Sequence, residues 1–158
     1  MSQFNLVDGA VISLLNYGTG TAMDVVGDTS SNGTGIVAYQ FNGGESQQWK
    51  LEKASDDPVW PTWRILNITA QKYVDLADGE PEDGTKVQIW DFRENENQLW
   101  RIYSADPLGR AFMIQNVGSA THIDLYKGGT ENSTQITGWA GHIQDENPNQ
   151  LWRVLRVK

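Results

Sequence analysis

The sequence predicts an all-β fold: a closed barrel built from three four-stranded copies of one unit. Three observations predict it. The tripeptides Gln47-Gln48-Trp49, Gln98-Leu99-Trp100 and Gln150-Leu151-Trp152 recur with Trp spacings of 51 and 52. Short runs rich in Val, Ile and Trp alternate with Gly, Asn and Asp turns, the pattern of strands rather than helices. The length of 158 residues suits one domain, given roughly 100 to 200 residues per domain. A period near 50 residues dictates architecture, and three units are too few for a propeller of roughly 4 to 8 blades.

Each copy, about 8–53, 63–104 and 112–157, carries the same features in the same order. An Asn opens it (Asn16, Asn67, Asn116), and eight residues later an Asp sits between two apolar residues (Asp24, Asp75, Asp124). A turn follows at Asn32-Gly33-Thr34, Asp83-Gly84-Thr85 and Asn132-Ser133-Thr134. Fifteen residues after each Asp comes an aromatic, Tyr39, Trp90 or Trp139, and then the Gln-x-Trp tripeptide. The third copy is three residues longer between Trp139 and Gln150. In the middle copy the apolar runs predict strands over 63–66, 73–76, 87–90 and 100–103. Tryptophans inside such runs are core, each costing on the order of 3 to 5 kcal/mol when truncated. The polar, Pro-bearing stretches 54–62 and 105–109 are loops between copies.

Composition narrows the function. With 39% hydrophobic and 20% charged residues, the chain is neither a disordered tail nor a fibrous repeat. A formal net charge of −8 repels phosphate backbones and anionic lipid, so nucleic acid is not expected as a partner. No cysteine is present, which removes disulfides, thiolate metal sites and cysteine nucleophiles. His122 and His142 stand in no metal-ligand spacing, and no Ser-His-Asp set assembles around them. The carboxylates Glu94, Glu96, Asp145 and Glu146 fall in polar loops and read as solvated charge. The expectation is a non-enzyme with no metal and no cofactor. Residues 1–6 show no basic or apolar leader pattern and no run of 18 apolar residues occurs, so a cytoplasmic protein without membrane insertion is expected, released if at all by a non-classical route.

The three in-register Gln-x-Trp motifs, each preceded by an Asp and an aromatic, resemble those of the ricin B-chain-like β-trefoil lectins. The opening Asp8-Gly9-Ala10-Val11-Ile12-Ser13-Leu14-Leu15-Asn16 is most similar to the small single-domain mushroom members. The resemblance covers essentially the whole chain. It implies a β-trefoil with pseudo-threefold symmetry that binds galactose or N-acetylgalactosamine termini of glycoproteins or glycolipids. Such a site suits a sugar. An ionised Asp accepts from two adjacent hydroxyls, an amide both donates and accepts, and an aromatic ring packs on the apolar face of the pyranose.

Carried over by the resemblance, the middle copy is the most complete. Asp75 is the acceptor, Gln88 the amide beside it, Trp90 the platform and Asn97 a second amide, while Gln98 braces Asp75. The third copy keeps Asp124, Trp139 and Asn149, with Thr137 where the middle copy has Gln88 and with His142, in the insertion, as a replacement contact. The first copy keeps Asp24 and Tyr39. There Val37 replaces the amide, Ser46 replaces the Asn before the motif, and Asn42 or Glu45 compensates. Avidity then comes from several sites in one chain or from self-association as a homodimer, as in a hemagglutinin. The sequons at Asn32, Asn67 and Asn132 lie at turn or copy-start positions, where backbone chemistry accounts for them. The rival reading is a protein-binding scaffold, a protease inhibitor or companion subunit, acting through the exposed loop 56–62 that contains Trp60.

Overall fold

The computed structural model describes residues 6–27 and 30–158. Twelve strands appear in three runs of four: β1 (Val11–Asn16), β2 (Ala22–Asp24), β3 (Val37–Tyr39) and β4 (Trp49–Lys53); β5 (Trp63–Asn67), β6 (Tyr73–Leu76), β7 (Thr85–Trp90) and β8 (Trp100–Ser104); β9 (Phe112–Asn116), β10 (His122–Leu125), β11 (Thr134–Trp139) and β12 (Trp152–Arg156). The helical pieces among the described residues are single 3-10 turns. In the middle copy the strands start and stop within two residues of the expected bounds, because alternating apolar runs and turn residues are local signals.

All pairings are antiparallel. Strands β1, β4, β5, β8, β9 and β12 pair in a closed ring. Hairpins β2–β3, β6–β7 and β10–β11 cap one end, with β11 pairing to both β3 and β7. Closure leaves no barrel edge to satisfy.

Trp49, Trp100 and Trp152 lie fully buried in the core beside Ile12, Leu14, Leu51, Ile65 and Ile114. Each indole also anchors a hairpin. Its Nε1 donates to the carbonyl of the residue before the repeat Asp: Met23 at 3.1 Å, Val74 at 3.0 Å and Ile123 at 3.1 Å. The tryptophan thereby fills volume and positions the acid with one side chain.

The repeated turn residue ties the copies into a cycle. Asn32 Oδ1 accepts from the Asp91 N–H, Asp83 Oδ1 from the Ala140 N–H, and Asn132 Oδ1 from the Gln40 N–H, each at 2.8 Å. Each bond crosses from one copy to the residue after the aromatic of the next. Asn67 is wholly buried, donating to the Ser46 carbonyl and accepting from the Ala70 N–H. These bonds give all three sequon asparagines structural work.

Candidate functional site

On each capping hairpin the repeat Asp faces a partner across the strand pair: Asp24 faces Val37, Asp75 faces Gln88 and Asp124 faces Thr137. The aromatic stands two residues beyond that partner, on the same face by the strand period. The Gln of the tripeptide then clasps both strands. Gln47, Gln98 and Gln150 donate from Nε2 to Oδ2 of Asp24, Asp75 and Asp124 at 2.8, 3.0 and 3.0 Å. The same nitrogens donate to the carbonyls of Gln40, Asp91 and Ala140, just past the aromatics. Gln98 therefore braces Asp75, as the family pattern implies.

The three carboxylates differ in what covers the second oxygen. Asp75 is 0% exposed: Gln88 Nε2 donates to its Oδ1 at 3.1 Å while Gln98 holds Oδ2. The amide expected to share a sugar with Asp75 instead closes over it. Asp124, 3% exposed, has only the shorter Thr137 opposite. Among the described residues the hydrogen bond to this carboxylate comes from Gln150 on Oδ2, and the Thr137 hydroxyl is itself buried without a partner. Asp24 Oδ1 is also unpartnered, beside the apolar Val37.

Burial pushes the Asp124 carboxyl up to about 6; the Gln150 hydrogen bond acts against this shift and the nearby Asp83 carboxylate adds to it. Burial likewise holds His122, two residues earlier on the same strand, down to about 4, with the charge of His142 adding. The Tyr103 hydroxyl lies 2.6 Å from His122 Nε2.

The platforms diverge too. Trp90 is half-buried, its edge towards Gly33, and the Arg93 guanidinium lies 4.1 Å over its ring. Trp139, also half-buried, has Tyr126 as its aromatic neighbour, with centroids 6.3 Å apart and planes at 54°. Tyr126 is 36% exposed, with the Lys127 ammonium 5.3 Å from its ring centre, and the two rings form a corner beside the strand of Asp124. Tyr39 is half-buried on the hairpin where Asp24 faces Val37 in place of an amide.

The rim comes from matching turns. The 3-10 turns Ala77–Gly79 and Tyr126–Gly128 each hold a left-handed residue, Asp78 and Lys127, both at φ 54°. A Cβ on Gly79 would stand 2.6 Å from Asn97 Oδ1, and one on Gly128 2.7 Å from Asn149 Oδ1. The two amides thus lie directly over bare glycine backbone. In the first copy the Asn42 side chain is engaged locally, its Oδ1 accepting from the Gly44 N–H.

The insertion alters the third copy. Gln47 and Gln98 each accept a backbone N–H on Oε1, from Asn42 and Arg93, both at 2.9 Å. Gln150 Oε1 is buried with no such partner, since the extra residues form the 3-10 turn Ile143–Asp145 and carry His142 out to solvent. Gly141 lies against this amide so closely that a Cβ would sit 1.9 Å from Oε1. Gly141→Ala should therefore cost about 2 kcal/mol by overpacking. Thermal unfolding reads it, and an unchanged midpoint would mean that the loop simply shifts.

Sequence reasoning missed two residues here. Arg93 occupies the frame position of Asn42 and His142, three residues after the aromatic, so the repeat could have found it. Tyr126 stands two residues after Asp124, where the other copies have Val26 and Ala77, and nothing in the frame marks it. Away from the hairpin end, Trp60 is 51% exposed, packed edge-on against Tyr103 at 6.3 Å. Asp57 holds its loop by accepting the N–H groups of Val59 and Trp60.

A family model described as ricin-type β-trefoil lectin domain-like matches residues 2–90, 59–139 and 96–158. The fold is similar to that of a Macrolepiota procera ricin B-like lectin in complex with lactose (22% identity, 98% of this chain and 100% of that one, TM-score 0.80). It is also similar to the Rhizoctonia solani agglutinin (21% identity, 99% and 100%, TM-score 0.83). An exo-β-1,3-galactanase from Clostridium thermocellum matches at 25% identity and TM-score 0.84 over 97% of this chain, which spans 31% of the galactanase. No curated protein matches the chain in sequence. The architecture is all-β and β-trefoil-like.

Proposed function

The chain belongs to the ricin-type β-trefoil lectin domain-like family, and on that premise we propose that it is a non-catalytic lectin for galactose or N-acetylgalactosamine termini, with the third copy as its principal site. One observation carries this reading: the Asp124 carboxylate is held by Gln150 on Oδ2, which leaves Oδ1 for a ligand beside the Trp139–Tyr126 corner. That oxygen can accept from sugar hydroxyls, the Thr137 hydroxyl and Asn149 amide supply further polar groups, and the rings take the apolar face of the pyranose. The lactose held by the Macrolepiota lectin supports the choice of sugar. A shallow site of this kind has a dissociation constant on the order of 1 mM, about −4 kcal/mol. Working avidity then needs a second site or self-association.

The test is a glycan array with the parent chain and Asp124→Asn. Binding to galactose-type termini that disappears in the variant supports the reading, and silence of the parent across all glycans defeats it. The exposed, Asp57-fixed loop at Trp60 favours a second reading, a protein-binding surface, which would then be tested by Trp60→Ala.

The site should also be pH-sensitive. Above about 6 Asp124 is ionised and accepts; below it the carboxyl takes a proton and loses an acceptor. Retention on galactose beads should fall as pH drops from 7.5 to 5, and flat retention over that range would contradict the role of Asp124. Stability is a poorer readout. In the same window folded Asp124 binds a proton that its unfolded form does not, which stabilises the fold as pH falls. Unfolded His122 protonates near 6.5 while the folded form resists to about 4, which destabilises it. The two effects oppose each other.

A further inference from the structure

We propose that the middle copy reads an acidic saccharide, one bearing a sulfate or carboxylate, through the Arg93 guanidinium that lies over Trp90. The proposal rests on the reading of the chain as a glycan-binding protein. It starts from what the middle copy no longer offers. Asp75 is entirely covered, with Gln88 and Gln98 occupying its two oxygens, so this carboxylate offers sugar hydroxyls no acceptor. The group stacked on the platform is a donor, Arg93, 4.1 Å from the Trp90 ring centre.

This guanidinium is held in place and unneutralised. The Arg93 N–H donates to Gln98 Oε1, fixing the backbone beneath the side chain. Stacking on Trp90 restricts the side chain itself. Its Nε is buried with no acceptor. The ion pairs among the described residues are Lys72 with Asp91 and Arg110 with Asp106, so the neighbouring Asp91 is engaged elsewhere and also accepts from Asn32. A stacked fork of N–H donors lacking an anion matches the two oxygens of a sulfate or carboxylate.

The third copy has the reverse character. There Asp124, with the Asp83 carboxylate near enough to act on it, supplies negative charge, His142 stands in the position of Arg93, and the cation present, Lys127, lies over Tyr126 rather than over the Trp139 platform. Equivalent hairpins thus carry a guanidinium on the platform in one copy and none on it in the other. The net charge of −8 opposes anions at long range. That field is screened beyond about 8 Å at physiological salt, whereas the guanidinium acts at contact.

The test compares three immobilised galactose-terminated glycans, one unmodified, one sulfated and one sialylated, against the parent chain, Arg93→Ala and Arg93→Lys. The alanine variant keeps the N–H that Gln98 uses, and its thermal midpoint checks the fold. We expect the parent to bind an acidic glycan in a salt-sensitive way, more weakly at 500 mM than at 50 mM NaCl because salt screens the guanidinium–anion contact. The ratio of acidic to neutral binding should fall at least about tenfold in Arg93→Ala and less in Arg93→Lys, which keeps the charge without the planar fork. Binding confined to the sulfated or to the sialylated glycan names the acidic group, and binding to both assigns recognition to charge. A parent that ignores both acidic glycans, or a ratio unmoved in Arg93→Ala, overturns the proposal. So does a rise in neutral binding in that variant, which would make Arg93 a cover over a neutral site. If the parent instead ignores the unmodified glycan while acidic binding depends on Arg93, the galactose reading of the third copy fails and this one stands.

Discussion

Trp139→Ala abolishes retention on galactose-coated beads: that is the expected result of removing the third copy's platform. The ring supplies the apolar half of the site, and losing its burial against a pyranose costs about 2 kcal/mol. On a dissociation constant on the order of 1 mM, this is roughly thirtyfold, beyond what a bead assay retains. Tyr126 alone cannot replace it, because the sugar needs the ring that stands beside Asp124 on the hairpin. Tyr126→Ala should weaken binding by a smaller factor, since Trp139 remains and one wall of the corner is lost. Titration by NMR with lactose measures both. Undiminished shifts in Trp139→Ala would place the site elsewhere in the chain.

The second large effect is on stability. Asp75→Ala should destabilise the fold by on the order of 3 kcal/mol, because the Gln88 and Gln98 amides are left without their shared acceptor inside the hairpin cap, at about 1 to 3 kcal/mol for each unsatisfied group. For a chain of this size that shifts the thermal midpoint by roughly 6 to 12 °C. Asp75→Asn should lose less, since its one carbonyl oxygen can still accept from either amide. The family pattern by itself expects loss of binding with the fold intact; the buried geometry expects the opposite. A variant Asp75→Ala that melts like the parent would show that the pair of glutamines repacks without the carboxylate.

The expected placement of the site shifts between copies for a specific reason. The middle copy retains every residue type of the family pattern, yet completeness closes it: Gln88 is long enough to reach Asp75 Oδ1, and Arg93 is long enough to fold back on Trp90. The third copy departs from the pattern at Thr137, and this shorter side chain makes no hydrogen bond to Asp124, which Gln150 holds on Oδ2. Asn42 likewise satisfies the frame but spends its side chain on the Gly44 N–H.

What the sequence by itself determined is the three-copy architecture, the strand bounds of the middle copy and the core tryptophans. All of these follow from spacing, because strand periodicity and turn chemistry are local and a repeat transmits one copy's geometry to the others. The tertiary structure alone decided which carboxylate and which platform are covered, and that Asn32, Asp83 and Asn132 reach across to the following copy. Those outcomes depend on where a side-chain tip ends after packing against residues distant in sequence. A hydrogen bond within that reach decides whether a polar atom is spent internally or left for a ligand.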